Sequence, residues 1–327
     1  MRRFWINVLA VAVLFAGGWF LWHQKQIGSL NDALRLAASE LKSWQFKLTS
    51  QSSSPRRATL RIASFNIQAF GADKIKDPTV SNYLAGIIRE FDVVAIQEVR
   101  GQDPSVLSAI TELVNSAGRN YAWVASEPLG GDRYFERYAF LFDRDTVSLD
   151  DSHSYTVHDP DDVLHREPLV GWFRAVSVDP AQAFTFSLVN VHLDSRQPQR
   201  EVAYLAQLFR AIRGDGRGED DVIIAGDFNA DPESLQQLRD QSGLVCLISG
   251  TPTNVRFTQQ YDNLLINPLA TTEFVARCGV YDFLKVFNLT IEQATAISDH
   301  LPVWADFSVT EGFGGNLTAS RAASDIK

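Results

Sequence analysis

Cysteine is scarce in this chain of 327 residues: there are two. That excludes a disulfide-built scaffold and a Cys-rich zinc module. Positive charge is scarce as well, with 30 Lys and Arg against 39 Asp and Glu and a net charge of −9. The shortage is concentrated in the body of the chain. Residues 1–57 hold eight basic side chains and two acidic ones, which leaves 22 basic against 37 acidic, a net −15, from residue 58 onward. A body this acidic repels phosphate backbones and anionic lipid at long range, so a broad basic binding face is excluded. Any polyanion handled there requires metal ions and locally placed arginines. Hydrophobic residues make up 45% and charged residues 21%, which excludes disorder for most of the chain. The length suits two average domains or one large layered unit, and no internal repeat is visible.

Three regions differ in pattern. Phe4 to Trp22 is a nineteen-residue apolar run with Asn7 as its one clearly polar member, long enough to cross a bilayer as a helix. Trp5, Trp19 and Trp22 stand toward its ends, where interfacial aromatics belong. A cleaved signal peptide is the competing reading, but Ala16-Gly17-Gly18 runs on into apolar Trp-Phe-Leu-Trp rather than closing the segment. A retained anchor over residues 1–25 is therefore expected. Arg2 and Arg3 before the span orient it with a cytoplasmic N-terminus and the body in the periplasm or outside the cell. Residues 26–48 follow with Ile27, Leu30, Leu34, Ala37, Leu41, Trp44 and Leu48 in alternating steps of three and four. This seam fits either a short stalk that forms a homodimer through residues 27–48 or an amphipathic helix on a surface. Residues 49–57, TSQSSSPRR, read as a linker.

Residues 58–309 alternate strand-like and helix-like segments. Strands are expected at 60–67, 93–99, 138–142, 173–178, 184–193, 222–228, 263–266 and 303–309, and helices at 80–91, 105–117 and 201–212. This mixture suits a layered α/β architecture with substantial sheet. Residues 310–327, rich in Gly, Ser and Ala, read as a disordered tail.

Polar residues recur where apolar strands end. Asn66 closes RIASFN, Glu98 closes VVAIQE, His192 closes FSLVNVH, and Asp227 and Asn229 end VIIAGDFN. Asp262 opens DNLLI, and Asp299-His300 precede LPVWADF. A buried strand that runs into a carboxylate or imidazole is destabilised unless the group is paired or coordinated. One such ending is an ordinary turn; six with the same grammar point to a shared polar cleft above a sheet. Asn66, Glu98, Asp227, Asn229 and Asp299 are oxygen donors of the kind that suits Mg²⁺, Mn²⁺ or Ca²⁺. His192 and His300 are candidates for general base and general acid, with Glu136 and Asp262 available to orient them. A divalent metal with two oriented histidines suits displacement at phosphorus. His23, His153, His158 and His165 have no such setting and read as surface residues.

The strings SFNIQAFG (64–71), AIQEVR (95–100), SEPLGGDRYFERYAF (126–140), HREP (165–168), GDFNAD (226–231), TPT (251–253), YDNLLI (261–266) and ISDHLPV (297–303) stand in one order across nearly all of 60–308. In that set the chain resembles the endonuclease/exonuclease/phosphatase superfamily, and within it the deoxyribonuclease I branch. The resemblance implies an α/β (α+β) four-layer sandwich, with two central, mainly antiparallel β-sheets flanked by helices, here preceded by one transmembrane helix. It implies Asn66, Glu98 and Asp299 around a catalytic metal, Mg²⁺ first and Mn²⁺ second, with Asp227 and Asn229 near the scissile phosphate. His192 with Glu136 and His300 with Asp262 would be the acid–base couples. Arg166 would contact phosphate, while Arg100 and Tyr134 would face the minor groove of DNA. The implied activity is a nearly non-specific DNA endonuclease leaving 5′-phosphate ends, and a phosphodiesterase or phosphatase acting on a phospholipid or other phosphoester is the alternative. The resemblance does not extend to the family's disulfides: Cys246 and Cys278 fall outside the shared strings, and either pair with each other or remain reduced. Nor does it support a structural Ca²⁺, since Tyr155–His165 is short where relatives have a calcium-associated loop. The sequence VHLDS (191–195) follows the broader superfamily rather than the secreted deoxyribonucleases.

Overall fold

A computed structural model describes residues 58–101, 104–130 and 135–312. The proposed anchor (1–25), stalk (26–48) and linker (49–57) lie outside the described residues, as do Tyr134 and residues 313–327. Among the described residues, no helix is long and apolar enough to cross a membrane.

The order of elements is β1 (Thr59–Phe70), α1 (Ala72–Lys76), α2 (Pro78–Ile88), β2 (Val93–Arg100), α3 (Ser105–Asn115), β3 (Tyr121–Ala125), β4 (Glu136–Asp143), β5 (Val147–Thr156) and β6 (Leu169–Ala175). Then come β7 (Thr185–His192), α4 (Pro198–Arg213), β8 (Val222–Asp227), α5 (Gln236–Ser242), β9 (Val245–Cys246), β10 (Asp262–Ile266), β11 (Phe274–Val280), α6 (Phe283–Phe287), α7 (Ile291–Ile297) and β12 (Val303–Ser308). They build two mixed six-stranded sheets, in the orders β11-β12-β1-β2-β4-β3 and β5-β6-β7-β8-β10-β9. Each sheet has one parallel pair, β1–β2 and β7–β8, and its other pairings are antiparallel. The halves β1-β2-β4-β3 and β7-β8-β10-β9 thus repeat one topology that sequence comparison within the chain does not reveal.

Strand periodicity explains the layers. In β1, Leu60 and Ile62 face the opposite sheet, whereas Ala63, Phe65 and Ile67 face the helices. Phe186 and Leu188 of β7, Ile223 and Ala225 of β8, and Phe140 and Phe142 of β4 join the same inter-sheet core. Val189, Val191, Val222 and Ile224 turn outward against Val202, Leu205, Phe209 and Ile212 of α4. The result is helices, sheet, sheet, helices. Helix starts are encoded locally: Asp77 accepts hydrogen bonds from the Thr79 and Val80 N–H groups ahead of α2, with Pro78 in its first turn. Thr290 and Gln293 form a capping box at the start of α7.

The eight expected strands are present, with one correction: the strand expected at 173–178 runs from Leu169 to Ala175. Four strands were not expected, namely β3, β5, β9 and β11, and all four are sheet edges. An edge strand has one neighbour and an exposed face, so its sequence lacks the apolar run that marks a central strand. In β5, VSLDDSHSYT, only Val147 is buried. Thr310, Glu311 and Gly312, read as the start of a tail, are held in the fold: the Glu311 N–H donates to the Gln182 carbonyl, and the Gly312 N–H to Glu273 Oε1 at 2.7 Å. Cys246 and Cys278 are both free thiols.

The parallel pair β7–β8 sets His192 opposite Asp227 and Val191 opposite Gly226. A Cβ at Gly226 would stand 1.9 Å from the Val191 carbonyl oxygen, an impossible contact, so only glycine permits this approach. Gly226→Ala should lower the melting temperature by at least about 6 °C, corresponding to about 3 kcal/mol, or prevent soluble folding. An unchanged melting temperature would show that the two strands are spaced differently.

Candidate active site

The inter-sheet layer is apolar through most of its depth and turns polar at one pole. Four inward-facing series change character there: Leu60, Ile62, Ser64, Asn66 in β1; Val93, Ala95, Gln97 in β2; Leu188, Asn190, His192 in β7; Ile223, Ala225, Asp227 in β8. The antiparallel neighbours reach the same pole from the other direction, through Phe140, Tyr138 and Glu136 in β4 and Leu264 and Asp262 in β10. Period-two geometry therefore places Asn66, Glu136, His192, Asp227 and Asp262 in one cleft.

Two histidines dominate it. His192 Nδ1 lies 2.8 Å from Glu136 Oε1, and His300 Nδ1 lies 2.9 Å from Asp262 Oδ2. Their Nε2 atoms converge on one carboxylate oxygen, Asp227 Oδ2, at 3.6 and 3.7 Å. Each ring is thus anchored through one nitrogen and presents the other to the same point. Burial opposes the charged form of both rings, but the adjacent carboxylates outweigh it. Glu136 and Asp227 raise the pKa of His192, and Asp262 and Asp227 raise that of His300 to about 10. Asp227 is buried, yet the charges of His300 and His192 and the amide donors of Asn229 and Asn66 hold its pKa low. Burial, with the Asp227 charge nearby, pushes Asp262 up. Thr253 Oγ1 donates to Asp262 Oδ2 at 2.7 Å and fixes its orientation.

On the β1–β2 side, the Asn66 amide donates to Asp227 Oδ2 at 3.0 Å and to Glu98 Oε1 at 3.3 Å. Glu98 sits on a β-bulge with φ of 60°, left-handed geometry that costs a non-glycine residue about 1 kcal/mol or more. Burial would raise its pKa, but the Ala69 N–H, the His192 charge and Arg100 keep it low. Asp299 Oδ2 accepts from Gln68 Nε2 at 2.9 Å, while Asp299 Oδ1 is buried without a hydrogen-bond partner. Asn66, Glu98 and Asp299 offer the all-oxygen donors a hard divalent cation takes, and the orphaned Asp299 oxygen suits that use. Asp227, Asp262 and His300 also bring ligand-type atoms within 4.8 Å of one another. Asn229, with φ of 46°, donates its N–H to Asp227 Oδ1 and its amide to the Leu193 carbonyl.

The arginines are placed less simply than expected. Arg100, expected at a DNA groove, is paired with Glu98 Oε2 at 2.8 Å. Arg166, expected on phosphate, places Nε 2.5 Å from Glu136 Oε1 and donates to the His192 carbonyl at 3.0 Å. Its observed contacts thus brace the His192–Glu136 couple.

Several residues here escaped the sequence reading. Gln97 Nε2 donates to Asn190 Oδ1 at 2.6 Å across the sandwich, and the Asn190 amide donates to the Ile96 and Ala139 carbonyls. The Tyr138 hydroxyl accepts the His192 N–H at 2.8 Å. Ser298 donates to the Asn66 carbonyl and accepts the His300 N–H. Lys74 is lowered to about 8, chiefly by burial, against the opposing pull of Asp299 and Glu98. The available signal was a polar residue inside an otherwise apolar strand, as at Gln97 in VVAIQEV and Asn190 in FSLVNVH.

Comparison with known proteins identifies the family. The model of the endonuclease/exonuclease/phosphatase family matches residues 63–300. Human deoxyribonuclease-1-like 2 is 34% identical over 277 residues, covering 75% of this chain and 91% of the relative. Pig deoxyribonuclease-1 is 36% identical over 263 residues, covering 75% and 90%. Among solved structures, the human Nocturnin catalytic domain with bound sulfate anion is similar in fold, with a TM-score of 0.51, 17% identity and coverage of 77% of this chain and 95% of that one. A functionally unknown conserved protein from Enterococcus faecalis has a TM-score of 0.52 at 17% identity, covering 75% and 98%. The chain belongs to the endonuclease/exonuclease/phosphatase family and is a deoxyribonuclease I-like enzyme of the phosphodiesterase or nuclease type.

Proposed function

We propose that this enzyme is a metal-dependent endonuclease that hydrolyses the phosphodiester bonds of DNA with little sequence preference and leaves 5′-phosphate ends. The observation that carries the reading is the convergence of His192 and His300, each backed by its own carboxylate, on Asp227 Oδ2 at 3.6 and 3.7 Å. A phosphate seated beside that oxygen would meet two imidazole nitrogens and the Asn229 position at once. One histidine accepts the proton of the attacking water, and the other donates to the departing 3′ oxygen. Glu136 and Asp262 hold the rings in register, and Arg166 steadies Glu136. A divalent cation held by Asn66, Glu98 and Asp299, with Mg²⁺ favoured over Mn²⁺, would neutralise charge on the phosphate and substitute for the basic face the body lacks. Similarity to deoxyribonucleases supports DNA as the substrate. Arg100 and Tyr134 are proposed to meet its minor groove. The apolar run 4–22, with Arg2 and Arg3 ahead of it, supports a membrane-tethered enzyme working in the periplasm or outside the cell, and the heptad seam supports pairing of two copies.

The chelator-treated chain should nick supercoiled plasmid once Mg²⁺ or Mn²⁺ is restored. His192→Ala and His300→Ala should each cut the rate by roughly 10²–10⁴-fold. Absence of nicking with either metal, in a folded sample, would overturn the DNA reading and redirect attention to phospholipid and other phosphoester substrates. In the chelated protein, His300 is expected to be protonated at neutral pH. Its raised pKa contributes stability that is fully present below the ordinary histidine value near 6.5 and is lost as pH rises toward about 10. Asp262→Asn should bring the His300 titration, followed by NMR, down from about 10 toward 6.5; an unmoved titration would remove Asp262 as its cause. Deleting residues 2–25 should move the protein from the membrane to the soluble fraction, and deleting 27–48 should abolish a cross-linked dimer.

A further inference from the structure

At the pole opposite the histidines, the chain gathers carboxylates without counter-charge. Asp221 directly precedes β8, Glu273 directly precedes β11, and Glu311 follows β12. Oxygens of Asp221, Glu273 and Glu311 lie within 4.8 Å of one another. Glu219 joins them through Oε1, which accepts the Asp221 N–H at 3.0 Å, while its Oε2 accepts the Trp172 indole N–H. Asp221 and Glu273 are 2% and 1% exposed. Among the described residues, no Lys, Arg or His is ion-paired to any of these four; Arg213 reaches only the neighbouring Asp220, at 4.0 Å.

The cluster is also incomplete as a hydrogen-bonded unit. Glu273 Oε1 takes the Gly312 N–H, but Glu273 Oε2 is buried with no partner, and so is Asp221 Oδ1. Buried polar atoms are nearly always satisfied by protein, water or an ion. Two unsatisfied carboxylate oxygens from two buried residues therefore point to an occupant that accepts lone pairs and carries positive charge.

We propose that Asp221, Glu273 and Glu311 form a binding site for a single Ca²⁺ ion, separate from the catalytic cleft. Three carboxylates gathered within 4.8 Å suit the flexible all-oxygen shell that Ca²⁺ takes at about 2.4 Å. Mg²⁺ prefers a smaller octahedron and keeps several waters, for which a dry, carboxylate-walled site has little use. Exposed Glu311 gives the ion a route in. Without the ion the carboxylates repel: burial first, then the charges of Glu273, Glu219 and Glu311, push Asp221 up to about 9. The site joins the two sheets, since Asp221 leads into β8 whereas Glu273 and Glu311 flank β11 and β12. Asp221 and Asp227 stand at opposite ends of β8, about 20 Å apart at the rise of an extended strand. The ion would thus clamp the sandwich at the end the catalytic residues do not hold, and this inference does not rest on the DNA reading.

The test is calcium-dependent thermal melting and equilibrium dialysis with Ca²⁺ on the full chelator-treated chain, alongside Glu273→Gln, Asp221→Asn and Glu98→Gln. Ca²⁺ at about a hundred times its Kd should raise the parent's melting temperature by about 5–10 °C. Glu273→Gln removes a buried negative charge, and Asp221→Asn replaces a carboxyl that burial and its neighbours already push up to about 9, so both should melt in chelator at or above the parent's temperature. Both should lose most of the Ca²⁺ increment and bind one ion fewer. Glu98→Gln, altered in the catalytic cleft, should keep the increment. The proposal is overturned if Ca²⁺ fails to raise the parent's melting temperature, if both far-pole variants keep the full rise, or if Glu98→Gln alone abolishes it.

Discussion

The two sheets are held in register by polar bridges across the sandwich, and the active site depends on them. Asn66 to Asp227, Gln97 to Asn190, and Tyr138 to His192 each connect a strand of one sheet to a strand of the other. Apolar side chains press sheets together without fixing how far one slides over the other, because burial is nearly indifferent to small displacements. Hydrogen bonds in a dry layer are not indifferent: an unmade one costs about 1–3 kcal/mol. The catalytic geometry needs residues from both sheets, with Asn66, Glu98 and Glu136 on one and His192, Asp227 and Asp262 on the other. A slip of an ångström would separate His192 from Glu136 and Asn66 from Asp227.

Local strain is placed where that geometry demands it. Glu98 and Asn229 take left-handed backbone conformations although neither is glycine, and both lie in the cleft. The bulge at Glu98 turns its carboxylate toward Asn66 and the Ala69 N–H instead of leaving it in the alternation of β2. Gly226 does the complementary work by letting two parallel strands approach until His192 faces Asp227. These features destabilise the fold locally and persist because the surrounding sheets determine them many times over.

Charge is organised along the same axis. At the catalytic pole every buried carboxylate of the acid–base couples has a histidine or arginine beside it, and the histidines are driven toward their charged forms in consequence. At the far pole, among the described residues, no Lys, Arg or His is ion-paired to the clustered carboxylates. The acidity of the body is therefore no uniform coat. It is neutralised internally where chemistry is proposed and left open to an ion where the strands begin.

Much of the site was legible in the chain itself. Asn66, Glu98, His192, Asp227, Asp262 and His300 announced themselves because a carboxylate, amide or imidazole at the end of an apolar strand has few reasons to be there. The pairing of His192 with Glu136 followed from resemblance, and the two stand 2.8 Å apart in the fold. The edge strands were not legible, since β3, β5, β9 and β11 are half-solvated and carry no apolar run. Gln97, Asn190 and Tyr138 were overlooked for the opposite reason: each sits inside a strand that reads as ordinary core, and only a partner on the other sheet gives it meaning. Arg166 shows the same limit, because sequence identifies a guanidinium but not which carboxylate it will find. Periodicity and strand-end chemistry are properties of neighbouring residues, and the sequence determined them by itself. Which strands face each other, and which buried polar groups are left without partners, are relations between residues far apart in the chain, such as Ser298 and Asn66 at 232 positions, and only the tertiary structure decided those.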